Sequence, residues 1–229
     1  MTRGAPSLVT VALPVLDEEH HIGDQLAALA SQTYAGEWEV VIADNGCTDR
    51  TVELALGWRS RLPSLRIADA TACRGINHAR NVAADGAAGD LLAFCDADDV
   101  AAPGWLSALA EAAPRADLVG GVLDPAALNP RRVLERHDRP SANTDLPVAH
   151  GFLPYVPGGN CAVWTDVARH LSWDESFRFG NSDIDFAWRA QLAGHRLAFA
   201  PDAVMYRRLD PTLSGLCLLY TSPSPRDRS

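Results

Sequence analysis

The sequence predicts an α/β domain built on a mainly parallel sheet flanked by helices. Three observations carry this. Apolar runs of strand length alternate with segments whose apolar residues recur at helical spacing, at least four times in about 120 residues. The runs are nearly continuously apolar, as strands buried on both faces are. Acidic clusters stand at the carboxyl ends of these runs, where ligands bind in open α/β sheets.

The elements follow in order. Residues 8–16 (LVTVALPVL) read as the first strand, and residues 21–31 as a helix with Ile22, Leu26, Leu29 and Ala30 on one face. Residues 38–43 form a second strand that runs into Asp44-Asn45-Gly46. Residues 51–61 read as a helix stopped by Pro63. Residues 65–68 are a third strand, 76–84 a helix ending near Gly86, and 91–95 a fourth strand running into Asp96-Ala97-Asp98-Asp99. A helix over 103–112 has Pro in its first turn, and 118–123 is a further strand. Residues 124–157 carry Pro125, Pro130, Pro140, Pro147, Pro154 and Pro157, so they read as a loop-rich connection with one short helix near 131–136. Beyond Gly158, residues 161–164 look strand-like and 183–194 helical.

Composition narrows the function. With 229 residues, 47% apolar and 21% charged, the chain fits a soluble globular enzyme. A net charge of −9, from 20 basic and 29 acidic residues, argues against a nucleic-acid partner. A phosphate-bearing substrate would need local neutralisation by a metal ion or a few placed arginines. Cys47, Cys73, Cys95, Cys161 and Cys217 show no C-x-x-C or zinc-ligand spacing, which suits a reducing compartment without cysteine chemistry. There is no signal-peptide apolar segment, and no run approaches the roughly 18 residues of a membrane span. The expected location is the cytoplasm, with peripheral association at the inner face of a membrane left open. Residues 217–229 lose Ala and gather Pro and Ser; they resemble a translated sequencing adapter more than an ordinary Pro/Ser tail. The expectation is one domain over 1–216 and a non-native, disordered tail.

Four clusters bear chemistry. Asp96, Asp98 and Asp99 crowd one strand end; such carboxylates raise one another's pKa unless they share a cation, and oxygen ligands suit Mg²⁺ or Mn²⁺. An acidic turn or helix cap explains the spacing equally well. Asp44 could accept the imide N–H of a uracil- or thymine-type base, but Asp-Asn-Gly is also strong turn chemistry, which locally prevails. Arg74, His78 and Arg80 could bind a diphosphate or simply form a solvated helix face. In residues 181–189, Ser182 reads as an N-cap, with Ile184, Trp188 and Leu192 as an apolar stripe. Asp183 and Asp185, two apart, do not share a face. One can face a cleft while the other pairs with Arg189, although a simple capping acid explains the pattern too.

Taken in order, these pieces resemble the family 2 glycosyltransferases, which have a Rossmann-like GT-A fold. The resemblance runs from about residue 8 to 208. Leu13-Pro14-Val15-Leu16-Asp17-Glu18-Glu19 is similar to the family's P-V-Y-N-E-E, Ser31-Gln32-Thr33-Tyr34 to its S-Q-T-Y, and residues 43–49 to its V-D-D-G-S-T-D. Residues 74–81 resemble N-x-G-x-x-x-A-R-N, Asp96-Ala97-Asp98 the D-x-D, Gly158-Gly159-Asn160 the acceptor-side glycines, and residues 182–185 the E-D-x-D. Asn45, Cys47 and Ser182 depart from the pattern, and no His follows residue 201 where many relatives place a metal-facing one.

The resemblance implies inverting, metal-assisted transfer of sugar from a nucleotide-diphosphate donor to a glycan or lipid-linked acceptor. A nucleotide-binding half would span about 8–123 and an acceptor half, the C-terminal portion, about 124–208. Pro14, Leu16 and Glu18 would line the nucleoside pocket, and Asp44 would contact the base. Arg74 or Arg80 would approach the diphosphate. Asp96 would touch the ribose or the metal, and Asp98 would be the main ligand of Mn²⁺ or Mg²⁺. Asp183 would be the catalytic base, with Gly159, Asn160 and Asp185 on the acceptor side. The alternatives are a truncated nucleotide-sugar-binding domain without turnover and, more remotely, a nucleotidyltransferase. The latter would carry a Gly-rich basic loop where this chain has Val15-Leu16-Asp17-Glu18-Glu19. A dinucleotide-binding G-x-G-x-x-G is absent.

Overall fold

The computed structural model describes residues 3–136, 142–177 and 180–210; the suspected tail lies outside them. Its centre is β1 (Val9–Val15), buried along its whole length. Parallel partners flank it: β2 (Trp38–Asp44) on one side, with β3 (Leu65–Asp69) beyond, and β4 (Leu91–Cys95) on the other. The connecting helices are α1 (Ile22–Ala30), α2 (Thr51–Leu56) and α3 (Ile76–Gly86). α3 packs on β1 and β2 through Ala79, Ala83 and Ala84. This half matches the expected parallel α/β pattern.

Past β4 the sheet turns mixed. The remaining elements are β5 (Val100–Ala101), α4 (Trp105–Ala112), β6 (Leu118–Asp124), α5 (Arg131–Leu134), β7 (Val148–Ala149), β8 (Leu153–Pro154), β9 (Asn160–Trp164), α6 (Thr165–Leu171), α7 (Ser182–Leu192) and β10 (Leu197–Tyr206). The eight-stranded order is β3-β2-β1-β4-β9-β6-β10-β5, and β7 and β8 form a separate hairpin. β9 enters between β4 and β6 antiparallel to both, while β6 and β10 pair in parallel. β9 is reached from the Pro-rich connection rather than through a crossover helix, so it returns reversed.

Several boundaries differ from expectation. α2 stops at Leu56, because Gly57 is a poor helix residue and the chain tightens into i→i+3 bonds such as Trp58 N–H to the Ala55 carbonyl. The Pro-rich stretch holds the β7–β8 hairpin as well as α5. β10 and α6 carried no clear sequence signal; in β10, Pro201 and Asp202 fall in an irregularity between Phe199 and Val204. α7 is capped by Asn181 at φ 58°, not by Ser182, which is buried. Its buried face is Phe186, Ala187 and Ala190, so Ile184, Trp188 and Leu192 lie off the core, with Leu192 exposed.

Two polar ties brace the sheet. Near the amino end of β2, the buried Glu39 accepts bonds from the Thr10 hydroxyl at 2.8 Å, the Ala88 N–H at 2.9 Å and the Arg66 fork at 3.0 and 3.2 Å. Burial pushes its pKa up, but these donors outweigh burial and hold it below its usual value. On β9, Asn160 is fully buried. Its amide donates to the carbonyls of Val122 and Ala203, and its oxygen accepts the Trp105 indole N–H at 2.8 Å. A β-carbon on Gly121 would collide with the Ala203 carbonyl and the Asn160 amide, so this crossing needs glycine.

Candidate active site

The carboxyl ends of β1, β2 and β4 frame a cleft of about 570 Å³. Pro14, Val15, Leu16 and Glu18 enter it from β1, Asn45 from the end of β2, Arg74, Gly75, Ile76 and Ala79 from the start of α3, and Asp96, Ala97 and Asp98 from β4. The structure thus brings together Pro14, Leu16, Glu18, Arg74, Asp96 and Asp98.

Asp44 is placed differently. Its Oδ1 accepts the N–H groups of Gly46 and Cys47 at 3.1 and 2.8 Å, closing a turn, and it does not line the cleft. Its neighbour Asn45 does. The Asn45 amide donates to the carbonyls of Ala70 and Cys73, and its oxygen accepts the Gly75 N–H at 2.7 Å. These bonds fix the loop that carries Arg74. Sequence reading passed over Asn45; its departure from the family's second Asp was the available signal.

Oxygens of Asp96, Asp98 and Asp99 lie within 4.8 Å of one another. Burial, then Asp96, then Glu18 push Asp98 up to about 6. Burial, then Asp96, then Asp98 push Asp99 further up. Local donors do not balance this charge. Arg208 gives its N–H to Asp99 at 2.8 Å, but its guanidinium goes to the Asp98 carbonyl and to Asp24. Asp96 Oδ1 is buried without a hydrogen bond, 3.6 Å from Arg80. Three oxygens short of positive charge fit a hard divalent cation such as Mn²⁺ or Mg²⁺.

Arg80 sits beneath the cleft rather than in it. It is 5% exposed, stacks at 4.6 Å over Trp173, and leaves Arg74 as the cleft's guanidinium. Trp173 in turn stacks on Phe186 at 4.4 Å. His78 turns to Glu175 at 3.1 Å.

On the far side, Gly158 donates its N–H to Asp183 Oδ2 at 3.3 Å. The next residue, Gly159, lies so close to Asp96 that a β-carbon would collide with the carboxylate. One glycine pair therefore separates Asp96 from Asp183. Asp185 pairs with Arg189 at 2.8 Å, the i+4 partner its spacing offered, and Arg189 is tied to the carbonyls of Leu171 and Ser172. Asn160 is held in the core, away from the cleft.

The sequence profile of glycosyl transferase family 2 matches residues 10–169, well over half of the chain. The chain belongs to glycosyl transferase family 2. This family 2 chain is 30% identical over 207 residues to the glycosyltransferase AglE of Haloferax volcanii, covering 89% of itself and 67% of AglE. S. aureus TarS 1-349 in complex with UDP-GlcNAc superposes with a TM-score of 0.71 at 20% identity, over 96% of this chain and 62% of that TarS fragment. The mannosyltransferase PcManGT from Pyrobaculum calidifontis, in complex with GDP-Man and Mn²⁺, superposes at 0.66 with 24% identity, over 91% and 58%. These likenesses bear out the family and the GT-A fold. The chain spans about two-thirds of AglE, about three-fifths of PcManGT and 37% of the longer TarS chain. No helix among the described residues is long and apolar enough to cross a membrane.

Proposed function

We propose that this family 2 domain transfers a glycosyl group, with inversion, from a nucleotide-diphosphate sugar to a hydroxyl of a glycan or lipid-linked acceptor. The observation that carries this is the under-neutralised Asp96-Asp98-Asp99 cluster, whose Asp96 and Asp98 line the cleft, one glycine pair from Asp183. The bound UDP-GlcNAc of TarS and the GDP-Man and Mn²⁺ of PcManGT support the donor class and the metal.

Residues 8–123 would hold the donor and 124–208 the acceptor. Pro14, Leu16 and Glu18, with Asn45, would line the nucleoside site. Arg74, rather than the buried Arg80, would meet the diphosphate in fork geometry. Asp98, with Asp96 beside it, would hold Mn²⁺ or Mg²⁺, which when bound neutralises charge on the departing diphosphate.

Asp183 would receive the proton of the acceptor hydroxyl as its oxygen bonds to the anomeric carbon. The bond from that carbon to the diphosphate oxygen breaks, and the nucleoside diphosphate leaves with the electron pair. The Gly158 N–H fixes the Asp183 carboxylate for this task. One base and one displacement give inversion, without the second carboxylic acid that glycoside hydrolysis requires.

Calorimetric titration of UDP, GDP and dTDP, with and without Mn²⁺, tests the reading. Metal-dependent binding of one nucleotide is expected. A folded protein that binds none of them would remove it.

A further inference from the structure

The segment between α6 and α7 is gripped from two helices. From α3, Asn77 and Asn81 stand four residues apart and so share a face. Asn81 brackets Trp173: its oxygen accepts the Trp173 N–H at 2.8 Å, and its amide donates to the Trp173 carbonyl at 2.9 Å. The same amide reaches Glu175 at 2.9 Å, and the Asn77 amide donates to the carbonyls of Asp174 and Phe177 at 2.8 and 3.0 Å. From α7, Arg189 donates to the Leu171 and Ser172 carbonyls at 2.7 and 2.8 Å.

The Trp173 ring carries this grip across to α7. It is buried, meets Phe94 edge-on with centroids 5.7 Å apart, and stacks on Phe186 with centroids 4.4 Å and planes 10° apart. Phe186 is fully buried and lies three residues after Asp183, one turn along the same face of α7. The seat of Phe186 therefore sets the rotation of the first turn of α7, and with it the direction in which Asp183 points. The bond from the Gly158 N–H, at 3.3 Å, is too long to do this alone. The indole N–H of Trp173 is buried without a partner among the described residues, so exchanging this ring for another breaks no hydrogen bond there.

We infer that Asn81 and Trp173 are positioning residues for the transfer: Asn81 seats Trp173, and Trp173 seats Phe186 and thereby aims Asp183. The inference rests on the base role given to Asp183 above. Two further residues of α3, Ile76 and Ala79, line the donor cleft, so one helix serves both the donor site and the support of the base.

The test uses the full chain with Mn²⁺ and two donor probes, UDP-GlcNAc and GDP-Man, and measures the UDP or GDP released. Asn81→Ala and Trp173→Leu should each lower kcat by about 10²-fold, the cost of a misplacement of about 1 Å. KM for the donor and the calorimetric Kd for UDP or GDP should stay unchanged. Trp173→Phe keeps an aromatic face for Phe186, so its kcat should stay near the wild-type value. Hydrogen exchange supplies a readout apart from activity, whichever donor the wild type accepts. The amides of residues 185–190 should exchange faster in Asn81→Ala and Trp173→Leu than in Glu39→Gln, which is weakened at the far end of the sheet. Exchange no faster than in Glu39→Gln overturns the inference. So does a loss of nucleotide affinity that matches the loss of kcat, a Trp173→Phe as impaired as Trp173→Leu, or wild-type kcat in Asn81→Ala where Asp183→Asn is inactive. Each of these leaves the transfer reading standing. Normal turnover by Asp183→Asn removes the base role itself, and the inference falls with it.

Discussion

The two ends of the parallel half-sheet treat buried carboxylates in opposite ways. At the amino end of β2, Glu39 is surrounded by donors from β1, β3 and the chain after α3, and its pKa is held down. At the carboxyl end of β4, Asp96, Asp98 and Asp99 crowd together with too few donors, and Asp98 and Asp99 are pushed up. The first arrangement gains from ionisation and braces the fold. The second is electrostatically incomplete and gains from a bound cation. Strand direction sets the difference, because the connections that leave strand carboxyl ends form the open, ligand-facing rim.

The strongest way to break this comparison is at the rim. Asp183→Asn should lower transfer by about 10²–10⁴-fold, the range for loss of a general base, while calorimetry shows nucleotide binding unchanged. Asp98→Asn should abolish the metal-dependent part of nucleotide binding. Intact metal dependence in that variant would place the ion elsewhere.

The opposite end should behave in the reverse manner. Glu39→Gln should cost about 2 kcal/mol, less than a fully buried pair because Arg66 is partly exposed, and should leave nucleotide affinity unaltered. Because the folded-state pKa of Glu39 is depressed, its stabilisation is complete above the unfolded value of about 4.3. It is lost as pH falls below that and through the folded value. Urea titrations across pH 3–7 should therefore show a steeper acid loss in the wild type than in Glu39→Gln.

A cation that completes the rim must also stabilise the fold. Mn²⁺ at about 100 times its Kd should add about 2.7 kcal/mol, read as a rise in Tm, and Asp98→Asn should lose this response. The smallest effect belongs to Asp44, whose Oδ1 closes its own turn. Asn keeps that acceptor, so Asp44→Asn should cost less than about 1 kcal/mol and leave UDP affinity nearly unchanged. A tenfold loss would show that its second oxygen reads the base.

Much of the donor side is legible from residues alone. Continuous apolar runs ending in Asp44 and Asp96–Asp99 mark both the parallel strands and the rim, since burial on two faces and termination in acids are local properties. The roles of individual side chains are less legible. Arg74 and Arg80 look alike in sequence, yet one lines the cleft and the other is buried over Trp173, a partner 93 positions along the chain. Asn160 and Gly159 are neighbours, yet one ties β9 to β6, β10 and α4 while the other abuts Asp96.

By itself the sequence determined the α/β class, the family, the carboxylate cluster and the pairing open to Asp185 with Arg189. Each depends on residues close along the chain, where periodicity and spacing act directly. The tertiary structure alone decided that β9 runs antiparallel between β4 and β6, that Asn45 rather than Asp44 faces the cleft, and that a hairpin within the Pro-rich stretch walls a second cavity against α7. Strand direction and the neighbours of a buried side chain are fixed by contacts between distant segments, and no local pattern encodes them.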